Sequence, residues 1–255
     1  MLISMSDGNC ALLFNLSFCA EVAYAVPSNP NTFPSIEDLS SFYDEYAQGL
    51  FQNFSYSLQL IPCNTTSSAQ YSLARNCQDC SNAYKEWLCA VTIPRCDDFS
   101  NTTNIWTKPR NVGQPFFQNH SMLPESYLQQ PFSPMPSAPG GSVAFEQTYG
   151  STFASNRSRV GRIDDAIKPG PYRELLPCED LCYSLMQSCP AALGFSCPLP
   201  GRGLEASYNP RVSSNLTCSY LGAYYSVNKS ARLGFSFIMM QAGLFISMLT
   251  VWSTW

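Results

Sequence analysis

Cysteine is the residue type best placed to do chemistry in this chain. Twelve are present: Cys10, Cys19, Cys63, Cys77, Cys80, Cys89, Cys96, Cys178, Cys182, Cys189, Cys197 and Cys218. An even, clustered set fits a disulfide framework made in an oxidising compartment, so all twelve are expected to be oxidised. Zinc is the competing chemistry, because Cys77 and Cys80 have the spacing of half a zinc site. No second C-x-x-C exists, and the one histidine, His120, falls in a loop-like stretch. A thioredoxin-like redox role for the same pair is set aside with zinc.

Other catalytic chemistry has little to build on. A Ser-His-Asp or Cys-His arrangement could use only His120, and bridged cysteines are not nucleophiles. The acidic pairs Glu37-Asp38, Asp97-Asp98, Asp164-Asp165 and Glu179-Asp180 match no EF-hand spacing. Acids at helix starts suit the helix dipole, which accounts for Glu37-Asp38 and Glu179-Asp180. No phosphate-binding glycine loop is present. The expectation is a protein that is not an enzyme, holds no metal or cofactor, and works by binding partners. Nucleic acid is not among them: the net charge is −4, and only 13% of residues are charged.

The asparagines place the chain. N-x-S/T acceptors begin at Asn15, Asn53, Asn64, Asn101, Asn119, Asn156, Asn215 and Asn228. With 46 Ser plus Thr in 255 residues and 16 Asn, chance would supply about three such acceptors. Eight, beside twelve cysteines, argue for N-glycosylation and passage through the secretory pathway. The first basic residue is Arg75, and the only early apolar run, Cys10 to Phe14, is too short for a signal peptide. The chain is therefore expected to have lost its true N-terminus.

Several elements must position these residues. Residues 8–34 hold an apolar stretch, Cys10 to Val26, read as a strand or short buried segments. Ser35-Ile36-Glu37-Asp38 reads as a capping box. Ile36, Leu39, Tyr43, Tyr46, Leu50 and Phe54 then recur at helical spacing, which predicts a helix over 36–54 with an aromatic core stripe. A second helix is expected over about 70–91, carrying Cys77, Cys80, Tyr84, Trp87 and Cys89. A third is expected over about 173–189, with Cys178, Cys182 and Cys189 on one face, able to tie it to different neighbours. Residues 98–171 contain no cysteine and have seven prolines between Pro109 and Pro139, so they read as a long irregular insertion. The domain expected is discontinuous, 8–97 plus 172–221, with 98–171 inserted.

The tail is separate. From Leu233 to Trp255 no residue is charged. A helix of that length spans about 34 Å, enough for a hydrocarbon core of about 30 Å. No Lys or Arg follows, so residues 232–255 read as a glycolipid-anchor signal, with a spanning helix as the alternative.

Local patterns now point to a family. Trp87-Leu88-Cys89-x-x-x-x-Pro94-x-Cys96 resembles the "FLC…P-x-C" segment of Frizzled-type cysteine-rich domains. Pro177-Cys178-x-x-x-Cys182-x-x-x-x-x-x-Cys189-Pro190, followed by Gly194-Phe195, resembles the next segment. The insertion is far longer here, and Cys10 and Cys19 lie outside the usual set. By that analogy Cys182 would pair with Cys197 and Cys178 with Cys218. Cys10–Pro30, Cys77–Cys96 and Gly170–Pro198 more closely resemble the C-terminal half of the fungal stretch-activated calcium-channel auxiliary subunit. That resemblance covers about residues 8–225. More distantly, the chain is similar to the auxiliary subunit of the animal sodium-leak channel.

The resemblance implies a mainly α, disulfide-rich, Frizzled-like cysteine-rich domain with a long irregular insertion and a C-terminal hydrophobic tail. It implies an auxiliary subunit outside the plasma membrane or in the endoplasmic reticulum. That subunit would dock on a four-repeat calcium-channel pore subunit and support calcium import without a pore of its own. The alternatives are a Frizzled-like receptor or lipid-binding module, and a cell-surface glycoprotein with no channel role.

Overall fold

Capping and apolar spacing set the longest element of the fold. The computed structural model describes residues 8–61, 74–125, 156–200, 202–213 and 215–222. Helix α1 runs Ile36–Gln59, with Ser35 as its N-cap accepting from the amides of Glu37 and Asp38 at 3.2 and 3.3 Å. It extends past the expected end at 54 because Phe54 and Leu58 continue the buried stripe begun by Leu39, Tyr43 and Ala47. The complete capping box belongs to helix α2, Cys77–Thr92. There Asn76 accepts from Asp79 N while the Asp79 carboxylate accepts from Asn76 N.

The apolar stretch before α1 forms an antiparallel pair, β1 (Cys10–Leu13) with β2 (Tyr24–Pro27). A second sheet has the order β3-β5-β4, from β3 (Arg95–Asp97), β4 (Thr107–Arg110) and β5 (Tyr172–Leu175). Helices α3 (Glu179–Ser188) and α4 (Leu204–Ser207) follow. A π-helical turn spans Ile163–Ile167.

Three further expectations change. The third helix does not begin at 173, since residues 172–175 are β5 and Pro177 separates them from α3. Cys178 is the N-cap of α3 and Cys189 its C-cap, so of the three cysteines only Cys182 lies inside the helix. The insertion is not wholly irregular either: it contains β4 and the π turn. Pro109 is tolerated because β4 is an edge strand, where a missing N–H breaks no ladder on the open side. The second helix begins at Cys77 rather than at about 70, because the Asn76 capping box starts it there. Residues 62–73 and 126–155, the latter the middle of the insertion, lie outside the described residues.

The main core packs β1, β2, α1 and the end of α2 around Leu13, Val22, Val26, Tyr43 and Ile93, with Ile163 and Ile167 of the π turn. A second core joins Phe54 and Leu58 of α1, Cys80 of α2 and Leu185 of α3, flanked by Tyr84, Trp87 and Phe195. Phe54 stacks on Tyr84 with centroids 3.7 Å apart. This unit ends at Leu221; the following unit, Gly222–Trp255, holds the apolar tail and, beyond Gly222, lies outside the described residues. Among the described residues no helix is long and apolar enough to cross a membrane.

Candidate functional site

Helix α2 is the hub of the disulfide mesh. Its Cys80 bonds Cys189 at the end of α3, and its Cys89 bonds Cys19 in the β1–β2 loop. Cys96 in β3 bonds Cys10 in β1. Cys178 bonds Cys218, and Cys182 bonds Cys197; these are the two pairs that the Frizzled resemblance implies. Cys77 is also disulfide-bonded, and Cys63 lies outside the described residues. Cys77 and Cys80 thus take different partners, which removes both the half zinc site and the redox pair. Among the described residues no group of three His, Cys, Asp or Glu side chains could hold a metal ion.

Polar side chains that the sequence did not single out complete the mesh. Asp44 lies on the buried face of α1 and accepts from the amides of Phe18 and Cys19 at 2.7 and 2.8 Å, which fixes the loop bonded to α2. Asn209 donates to the carbonyls of Trp106 and Thr217 at 3.0 and 2.9 Å. Asn9 donates to the carbonyl of Pro171. Trp87 donates to the Tyr208 hydroxyl at 2.9 Å. Buried amides and carboxylates of this kind satisfy loop backbone that would otherwise be unpaired.

The sheet β3-β5-β4 carries a buried charge cluster. Glu174 is fully buried and accepts from Arg110 Nε at 2.5 Å and from Arg159 Nε at 2.6 Å. Burial works against its charge, but the two guanidiniums outweigh it and hold the carboxyl below the usual range. Lys108 lies on the neighbouring strand, opposite Glu174 in register, and is 4% exposed. Burial, then the positive charges of Arg173 and Arg110, push its ammonium down to about 8.

That depression has a direction. The unfolded chain keeps the Lys108 proton up to about pH 10.4, whereas the folded chain releases it near 8, so stability rises with pH between those values. At pH 7 the buried charge costs on the order of 1–3 kcal/mol. Lys108→Met is therefore expected to stabilise the protein at pH 7, with a gain that shrinks above pH 8. Urea unfolding at pH 7 and pH 10 measures both.

The scaffold also presents surface. Tyr183 and Met186 of α3 are exposed, as is Leu199 beyond the loop closed by Cys182–Cys197. Of the acceptor asparagines, Asn15, Asn53, Asn119, Asn156 and Asn215 are exposed. Asn101 is half-buried, with its amide donating to Asp97 at 2.9 Å. Asn64 and Asn228 lie outside the described residues.

The frame of bridges, strands and helices runs through the segments that suggested a family. The family model for a stretch-activated Ca2+-permeable channel component matches residues 2–224. The chain belongs to this family. It is 41% identical over 229 residues to the stretch-activated cation channel yam8 of Schizosaccharomyces pombe, covering 89% of this chain and 38% of that protein. It is 32% identical over 217 residues to the stretch-activated cation channel MID1 of Saccharomyces cerevisiae, covering 84% of this chain and 31% of that protein. A MID1 of Cryptococcus neoformans is 26% identical over 203 residues, with 74% of this chain and 28% of that protein covered. The chain therefore spans less than two fifths of the length of these relatives. No solved structure matches it.

Proposed function

We propose that this chain is a non-catalytic, extracytoplasmic auxiliary subunit of a stretch-activated calcium-permeable channel. It docks on the outer loops of a four-repeat pore subunit and supports calcium import. The family match across residues 2–224 carries the reading. The disulfide mesh supports the outside face of the membrane, because bridges of this kind persist where the surroundings are oxidising.

The remaining parts of the proposal rest on the sequence. The eight acceptor asparagines carry glycans, and the tail at 232–255 attaches the protein to the plasma membrane by a glycolipid or as a helix. Residues 8–97 and 172–221 act as one discontinuous cysteine-rich domain of the Frizzled-like type, interrupted by 98–171. The pairings Cys178–Cys218 and Cys182–Cys197 support that kinship, which extends more distantly to the animal sodium-leak-channel subunit.

The binding surface depends on the folded domain. Cys182→Ser opens the loop that precedes Leu199 and leaves an unpaired thiol at Cys197. Purification from membranes should bring down a four-repeat channel subunit with the intact protein and lose it with Cys182→Ser. Recovery of the intact protein from membranes without any channel subunit would contradict the docking proposal.

A further inference from the structure

A cavity of about 370 Å³ opens between the π turn, the segment after β2 and the loop after β4. It plays no part in the disulfide mesh. Its wall includes Asn111, Gln114, Phe117, His120, Asp164 and Lys168. We propose that it binds a neutral sugar residue, a reading that goes beyond the channel role.

The cavity is built with unusual backbone. Four described residues other than glycine have positive φ: Asn15, Asn111, His120 and Lys168. The last three, at 54°, 56° and 55°, all line this one cavity. Such conformations are unfavourable for residues with a side chain, and they concentrate at binding sites because the surrounding structure must hold them. Lys168 closes the π turn, its amide donating to Ile163 O at 3.0 Å. Arg162 lies over the rings of Phe42 and Tyr46 of α1, at 4.5 and 5.1 Å, which anchors that turn. Opposite it, the 116–121 loop is closed by Phe116 N to Ser121 O at 2.9 Å and His120 N to Phe116 O at 2.8 Å. Gly170 seals the two sides. A Cβ there would stand 2.8 Å from Pro115 O, on a φ of +72°.

The chemistry of the wall selects the ligand. Asn111 is 1% exposed. Its amide donates to Ser158 Oγ at 3.1 Å and Asp164 Oδ1 at 2.8 Å, so its orientation is fixed by a carboxylate that can only accept. Its Oδ1 is sealed from solvent, so Asn111 holds the wall in place and the exposed groups beside it meet the ligand. Gln114, His120 and Lys168 are exposed at the mouth and can donate. One carboxylate and one ammonium balance, so the wall selects neither a strong anion nor a cation. Hydroxyls that donate and accept, with an apolar ring face against Phe117, meet this wall, and the volume falls in the range of small-molecule sites.

Sugar is also near at hand. Asn119 adjoins His120, and Asn156 Oδ1 lies 3.7 Å from where a Cβ on Gly113 would stand. Both are acceptor sites. The sugar could come from the protein's own glycan at Asn119 or Asn156, or from an extracellular polysaccharide.

Calorimetry on the full chain with mannotriose, chitotriose and laminaritriose tests the site, with and without Asn119→Gln plus Asn156→Gln. Binding of at least one trisaccharide is expected. Equal binding by both forms assigns the site to an external chain, and binding only by the Gln form assigns it to the protein's own glycan. His120→Ala, at an exposed position, should weaken binding about tenfold in a protein that remains folded. Gly170→Ala should abolish it by displacing the 115–117 wall. No binding of any of the three sugars by either form, or binding unaffected by His120→Ala in a folded protein, would overturn the proposal.

Discussion

Glu174→Gln is expected to destabilise the protein by about 3–5 kcal/mol, the usual cost of breaking a buried ion pair from one side. The residue is fully buried between Arg110 and Arg159, whose side chains are 8% and 15% exposed. Removing its charge takes the shared carboxylate away from both guanidiniums, on a sheet that also carries Lys108 and Arg173. A total stability of about 5–15 kcal/mol makes such a loss decisive. Because the folded-state carboxyl lies below its ordinary value, the Glu174 contribution is complete above about pH 4.3 and fades as pH falls through the folded value. Denaturant unfolding should therefore show a wide gap between parent and variant at pH 7 and a narrowing one on acidification. A variant as stable as its parent at pH 7 would mean that the triad is not the keystone of the sheet.

Loss of the Cys80–Cys189 bridge should have the other large effect. Among the five described bridges it alone joins residues before the insertion to residues after it, across a separation of 109. The other four close within residues 10–96 or within 178–218. A loop of this length corresponds to about 4–5 kcal/mol of denatured-state entropy. Cys80→Ala with Cys189→Ala removes the bridge without leaving a thiol. Limited proteolysis within 98–171, followed by a non-reducing gel, should give one band for the parent and two fragments for the double variant. Two fragments from the parent would show that this bridge does not hold the halves together.

Local pattern carried some of this structure and non-local pairing carried the rest. The stripe Leu39, Tyr43, Phe54 makes α1 legible, because its signal is contained in consecutive turns. Strand β5 was hidden by Glu174, a charge facing the core. Its partners Arg110 and Arg159 lie 64 and 15 positions away, so no window of sequence reveals why burial is tolerable. Strand β4 was hidden by Lys108 and Pro109, which read as loop until the edge position of the strand is known. Asp44 carries no signal of its own in the sequence, and only its bonds to the Phe18 and Cys19 amides give it a role. The cavity residues were invisible for the same reason, since Asn29, Asn111 and Asp164 meet only in three dimensions.

Calcium influx under membrane stretch tests the central claim most directly. The host is a fungal cell that keeps its pore subunit and lacks its own member of this family. The account predicts that the intact protein reaches the surface, restores influx and co-purifies with the pore subunit. It predicts that Cys182→Ser restores none. Intact protein at the surface with no bound channel subunit and no restored influx would contradict the account and leave a surface glycoprotein without a channel role.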